Sequence, residues 1–383
     1  MRKYINKIIV LFILLCFSTT LTGCWDYVEM TDLKYVAGMA IDRDKDTDEY
    51  ILTMEVLEGT VNEKTINSSI VQTRGETIHK ALRDAIKKVG KMLQLSHAKV
   101  VIISKDIAKK GIIPVIDLIN RDVEIRNDMW VIISEMSTAS EILNTDKKPD
   151  EILSYDLESS IKSNDKTGEY RGVQIFKLIN DISSKGISPS VPMISIVKDG
   201  TKSSTQILGT AVFKGDKMIG KLNKVETMML DILVNPEMKF VIPIVLGKDQ
   251  NISLEVIKTT RKAETKVKEG RRSLTIYVDL ETALSELAEE GVDYVAKDGR
   301  EKVKKKAEEY IQNNCLNLIE KLQKEYDTDI IGTGYIFRKK EPKEWDKVSK
   351  DWDKAFVDTK IKVEVNVDIQ YTGLTNKNIG VGK

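Results

Sequence analysis

Reactive side chains are scarce in this sequence, and the few present separate quickly into those with chemical prospects and those without. The 383 residues include three cysteines and two histidines. His79 falls just off the apolar stripe of a predicted helix, with no acidic or thiol neighbour at helical spacing, which gives it a surface or cap position rather than a ligand role. His97 precedes a strand and reads the same way. Cys315 sits among apolar neighbours in a helical pattern, without a disulfide partner or a C-x-x-C spacing for zinc, and reads as a buried small hydrophobe. Asp42, Asp44 and Asp46 have the one-three-five spacing of a calcium loop. Thr47 and Thr53 stand where such a loop needs Gly and a bidentate Glu, so the stretch reads as a solvated turn. There is no G-x-S-x-G, no H-E-x-x-H and no phosphate-binding Gly loop, because Gly332-Thr333-Gly334 ends before a G-x-x-G spacing develops. Catalytic residues, metal ligands and cofactors are therefore not expected. The thiol left with a chemical prospect is Cys24.

What positions Cys24 is the leader before it. Arg2, Lys3 and Lys7 give a positive start, Ile8 to Phe17 form an apolar run, and small or hydroxylic residues follow, the layout of a secretory signal. A spanning helix needs about 20 apolar residues, which this run does not reach, so export is expected. Leu21, Thr22 and Gly23 before Cys24 resemble the bacterial lipobox. Residues 1–23 are then a lipoprotein signal peptide, and Cys24 becomes the mature N-terminus, carrying S-diacylglycerol and an N-acyl group. Ordinary secretion with a chance cysteine is the competing reading and needs two patterns to coincide. At about 0.8 kcal/mol per buried methylene, two or more acyl chains hold a protein stably on a membrane. The expected place is thus an extracytoplasmic membrane surface, with membrane lipid as the first partner.

Charge excludes another class. The chain has 60 basic and 59 acidic residues, and removing Arg2, Lys3 and Lys7 with the leader leaves 57 basic against 59 acidic. A balanced exported chain gives no reason to expect nucleic-acid binding or a polybasic grip on lipid.

The elements predict an α+β protein of two to three modules. Leu33 to Ile41 and Tyr50 to Leu57 form a hairpin, and Val61 to Arg74 a longer loop or irregular strand pair. A helix then runs from Ile78 to Leu93. Val100 to Ile103 and Met129 to Ser134 are dense apolar strands. Between them lies a helical stretch broken near Gly111-Ile112-Ile113 ahead of Pro114, and Thr138-x-x-Glu141 opens a short helix as a capping box. This order gives a mixed β-sheet in the N-terminal half, residues 24–200, with an internal boundary near 147–150. Residues through Lys185 are mainly helical, with Val173, Phe176, Ile179 and Ile182 on one face. A polar linker, Lys198 to Ser204, leads to a C-terminal domain, 205–375, and a tail, 376–383. That half reads as a hairpin, a helix from Val225 to Leu233, and four strands (240–246, 252–258, 264–267 and 273–280) in a largely antiparallel sheet. A long packed helix follows, striped with Val303, Ala307, Tyr310, Ile311, Cys315, Leu318 and Leu322. The chain closes on a clean alternating strand, Ile361 to Ile369.

Several passages, in order, resemble one family, the Ger(x)C spore germination lipoproteins, the C subunits of nutrient germinant receptors. They are Cys24-Trp25-Asp26 with Glu29; Asp32-Leu33 to Ile41-Asp42; Ser96-His97-Ala98-Lys99 running into Val100 to Ile103; Glu124-Ile125-Arg126-Asn127-Asp128; Leu208 to Phe213 with the Lys214-Gly215-Asp216-Lys217 turn; and Pro342 to Trp345 running on to Tyr371-Thr372-Gly373-Leu374. Tyr371 departs from the basic residue the pattern places before Thr-Gly. The resemblance implies a non-enzymatic receptor subunit fixed by Cys24 to the outer face of the spore inner membrane. Its partners would be the A- and B-type membrane subunits, with Trp25, Asp26 and Glu29 as possible subunit contacts. One rival is a lipid-anchored solute-binding protein of a transporter, which needs two α/β lobes around its ligand. The other is an exported enzyme built on a pair of carboxylates in one cleft.

Overall fold

The computed structural model describes residues 2–19, 29–59, 66–146, 151–200, 202–235, 238–247, 250–287 and 297–371. The expected boundary at 147–150 and the tail lie outside these residues. Helix α1 spans Arg2–Thr19. No helix among the described residues is long and apolar enough to cross a membrane.

The N-terminal elements in order are β1 (Leu33–Arg43), β2 (Tyr50–Glu58), β3 (Asn67–Gly75), α2 (Ile78–Val89), β4 (Met92–Gln94), β5 (Val100–Ser104), α3 (Lys105–Lys110), α4 (Ile113–Arg121), β6 (Trp130–Ser134) and α5 (Ser140–Leu143). After these come α6 (Leu153–Lys162), α7 (Asn164–Thr167), α8 (Ile175–Ser183), β7 (Ser190–Asp199), β8 (Lys202–Lys214) and β9 (Lys217–Leu222). They build one sheet of order β3-β2-β1-β5-β6-β7-β8-β9, with β4 pairing beside the start of β1. Strands β1, β5, β6 and β7 run parallel, and antiparallel hairpins flank them.

Helices cover both faces, and the strand period assigns residues to them. Val101 and Ile103 of β5 join a core with Ile78, Ile107, Ile116 and Leu178. Val100 and Ile102 join the opposite core with Ile142, Leu157 and Ile161. A strand buried on both sides reads as an unbroken aliphatic run for this reason.

Four expectations change here. Residues Asn67–Gly75 form one regular strand paired along β2, in place of a longer loop or an irregular strand pair. Helix α2 stops at Gly90, a left-handed cap at φ 70°, so Met92 and Leu93 belong to β4. Helix α8 buries Ile175 and Leu178, and of the four residues expected on its apolar face Val173, Ile179 and Ile182 do pack against that core while Phe176 is 43% exposed. Lys198 to Ser204, expected as a linker, is the closed end of the β7–β8 hairpin, with Asp199 opposite Lys202. Its polarity reflects a solvated two-stranded extension.

The remaining elements are α9 (Lys224–Val234), β10 (Val241–Gly247), β11 (Gln250–Lys268), β12 (Arg271–Leu287), α10 (Lys297–Lys324), α11 (Thr333–Lys340), α12 (Pro342–Val348), α13 (Trp352–Val357) and β13 (Lys360–Tyr371). They form a four-stranded sheet of order β10-β11-β12-β13. Two of the four expected strands are one, β11, and β13 joins β12 in parallel, the one non-antiparallel pair of this sheet. The stripe of α10 lies across the sheet: Val303, Ala307, Ile311, Cys315, Leu318 and Leu322 pack with Leu274, Ile276, Val278, Val363 and Val367.

Cys315 is fully buried, and desolvation pushes its thiol up to about 12. A chain begun at Trp25, in which Cys315 is the one cysteine, should therefore show no thiol reactive toward an aromatic disulfide reagent at pH 8 while native, and one after denaturation. A thiol that reacts before unfolding would contradict this packing.

Candidate functional site

Cys24, the preceding Leu21, Thr22 and Gly23, and Trp25 and Asp26 lie outside the described residues. The chain is described again from Glu29, which is exposed and opens a 3-10 turn, Met30–Asp32, by accepting from the Asp32 N–H at 2.9 Å. Lys91 Nζ donates to the Thr31 carbonyl at 2.7 Å and ties that turn to the loop before β4.

The chain from Glu29 into β1 thus enters at the N-terminal ends of the parallel strands. Two of the passages that carry the resemblance end at the same edge. His97 meets the Tyr35 ring edge-on at 4.8 Å between centroids, and the Lys99 N–H donates to the Ala37 carbonyl at 2.8 Å. The Trp130 N–H donates to the Lys99 carbonyl at 2.9 Å, joining that loop to the start of β6. Arg126 and Asp128 pair at 2.5 Å in the loop before β6, whose carbonyl at Asp128 accepts from Gln174 Nε2 at 2.8 Å. Val123 in the same loop is 99% exposed. His79 is a surface side chain 3.9 Å from Asp122.

The next strand start along this edge, that of β7, is where the C-terminal half is fastened. The Ser188 N–H donates to the Asp329 carbonyl at 2.7 Å, and Thr328 Oγ1 donates to Ser188 Oγ at 2.7 Å. The side chain of Asp329 is fully buried and accepts five hydrogen bonds. Ile331 N and Gly332 N reach Oδ1 at 3.1 and 2.8 Å. Thr333 Oγ1, Gly334 N and Trp352 Nε1 reach Oδ2 at 2.7, 2.9 and 2.8 Å. Burial pushes the Asp329 carboxyl above the usual range, and these donors oppose the shift. Gly334 lies so close to Gly186 that a Cβ on it would sit 2.4 Å from the Gly186 Cα.

Further contacts join the halves. Arg171 Nε is 2.9 Å from Oδ1 of Asp231 on α9; burial raises that carboxyl to about 7 while Arg171 pulls it back. The Tyr326 hydroxyl donates to the Lys221 carbonyl at 3.0 Å, its ring filling the space beside Gly220. Within the second half, Lys321 of α10 pairs with Glu226 of α9 at 2.9 Å.

Sequence reasoning missed these groups, and it misplaced Asp42. That side chain is 3% exposed, not part of a solvated turn, and accepts from the N–H groups of Ala139 and Ser140 at 2.6 and 2.9 Å at the start of α5. Glu55 on β2 is fully buried and does the same for α6 through Leu153 and Ser154 at 3.1 and 2.8 Å. A carboxylate at a helix N-terminus meets both unpaired N–H groups and the positive end of the helix dipole. Asp44 does hold the turn, accepting from the N–H groups of Asp46 and Thr47 at 3.0 and 3.1 Å.

Asp353 near Asp329 also has its carboxyl raised by burial, with Asp329 adding repulsion. Both oxygens of Asp329 are occupied by the donors above, and Asp329 does not line the hollow of about 220 Å³ beside Asp353. Among the described residues no three metal-ligating side chains cluster.

Two family models match the chain in succession. A spore germination protein N-terminal domain matches residues 26–196, and a spore germination B3/GerAC-like C-terminal domain matches residues 208–373. Spore germination protein KC of Bacillus subtilis (strain 168) is 25% identical across 98% of this chain and 98% of its own length. Spore germination protein B3 of the same organism is 24% identical across 98% of this chain and 100% of its own. A crystal structure of the GerBC protein matches with a TM-score of 0.56 at 18% identity, covering 90% of this chain and 100% of that one, a likeness of fold.

Proposed function

Because the chain belongs to the Ger(x)C family of spore germination proteins, we propose that it is the lipid-anchored, non-enzymatic C subunit of a nutrient germinant receptor. Acylated Cys24 holds it on the outer face of the spore inner membrane, where it docks on A- and B-type membrane subunits and helps transmit the germination signal. The observation that carries the reading is the convergence at one sheet edge. The chain emerging from the tether, the Ser96 to Lys99 loop and the Glu124 to Asp128 loop all lie there. An edge next to the membrane anchor is the surface a membrane subunit meets first.

The start of β7 at this edge is locked to the C-terminal half through Ser188 and Asp329. In the proposed mechanism a displacement of the edge therefore moves both halves together rather than bending a linker. The saturated state of Asp329 and the second half's single four-stranded sheet support this reading over the enzyme and over the two-lobed solute-binding protein.

Deleting the gene and scoring germination against a panel of nutrients tests the proposal. The expected result is a response lost for some nutrients and kept for others. Unchanged germination under every nutrient would remove the receptor reading.

A further inference from the structure

A cleft of about 550 Å³ opens between the two halves, and its charges do not balance. Its walls carry Arg171, Lys177, Arg261, Lys339 and Lys340, with Asp181 as the acid among them. Lys177 is ion-paired to Asp181, and Arg171 to Asp231 beneath the wall. That leaves Arg261, Lys339 and Lys340, none of which is ion-paired to a carboxylate among the described residues. Arg261 donates to the Leu233 carbonyl and Lys340 to the Ala263 carbonyl, both neutral acceptors. Arg261 is half-buried, and desolvation lowers its pKa, the mark of a cation held without a counter-charge. Ile330, Ile331 and Ile336 line the same cleft, and low-dielectric walls focus the field of the three cations into it.

We propose that this cleft binds a small polyvalent oxyanion, a phosphate or a tricarboxylate, through Arg261, Lys339 and Lys340. The volume lies within the roughly 300–1,000 Å³ common for small-molecule sites. A guanidinium presents two parallel N–H groups to two oxygens, and the lysines add point charges around it. The inference stands on the cleft alone and does not depend on the receptor reading, since binding by the isolated protein tests it whatever the germination phenotype.

The test titrates the mature protein, from Cys24 onward, with inorganic phosphate and with citrate by calorimetry at low chloride, and separately with phosphatidylglycerol vesicles. Saturable binding of one of the two soluble anions is expected, weakened at least tenfold by Lys339→Glu and by Arg261→Met. Lys339 is exposed, so its replacement leaves the packing intact, and Lys109→Glu on α3 supplies the same charge change away from the cleft. The proposal is overturned by absence of saturable binding with both anions, by equal weakening in Lys109→Glu and Lys339→Glu, or by binding to the vesicles alone.

Discussion

With Cys24 replaced by alanine, the exported protein is expected to move from the membrane fraction to the soluble fraction, and the nutrient response to fall with it. The reason is quantitative. Each buried methylene contributes about 0.8 kcal/mol, so a diacylglyceryl group supplies far more anchoring energy than the nearly neutral surface of the mature chain, which lacks the excess of Lys and Arg that would bind an anionic membrane. Helix α1 could itself hold an unprocessed chain on the membrane. The same fractionation is therefore made on a version in which an ordinary secretory leader replaces residues 1–23 ahead of the alanine. Mass spectrometry of the native protein gives the independent reading: an acylated amino terminus is expected. A free amino terminus, or a Cys24→Ala protein still sedimenting with membranes in cells lacking the membrane subunits, would refute the lipid tether.

How far such features are legible in the sequence depends on how local their causes are. Strand β13 was plain because Val363, Val367 and Ile369 are buried while Lys362, Glu364 and Asp368 face water, a period that needs no knowledge of the partner. The stripe of α10 was plain for the same reason at helical spacing. Strand β11 was read as two pieces because Thr259-Thr260-Arg261-Lys262 looks like a turn. Its continuity comes from β12, where Thr259 pairs with Leu280 and Arg261 with Val278. A polar edge such as β3 becomes a strand on similar terms, through its register with β2.

The buried acids mark the limit. Asp42 and Glu55 receive donors about a hundred residues further along the chain, and nothing near either residue in sequence distinguishes a helix cap from a solvated carboxylate. The proposed leader and lipobox are written in four residues and an apolar run, whereas the edge beside which the chain enters exists only once β1, β5 and β6 are paired.

Asp329→Asn is expected to lower stability by about 3 kcal/mol or more, since a buried donor left without its acceptor costs about 1–3 kcal/mol and the amide deprives at least two. Whichever way the amide is turned, its NH2 faces backbone or indole N–H groups: Ile331 and Gly332 on one side, Gly334 and Trp352 on the other. Thr333 can rotate its hydroxyl away, but those four cannot. The side chain is enclosed by the loop that also meets Ser188, so the loss is expected to loosen the two halves from each other as well as the Gly332–Gly334 turn. The Trp352 ring lies tilted against Trp345 and Phe337, with centroids 5.3 and 5.5 Å away, which makes tryptophan fluorescence during thermal unfolding a local readout. The pH dependence gives a second one. Because burial raises the Asp329 pKa in the folded chain, its contribution is most favourable below the unfolded carboxylate range. That contribution declines as pH climbs through the raised folded value and then levels off. The asparagine variant should lose this slope. An Asp329→Asn protein with wild-type stability and an unchanged slope would mean that the five donors do not depend on a carboxylate, and the fastening between the halves would have to lie in Arg171–Asp231 and Tyr326 instead.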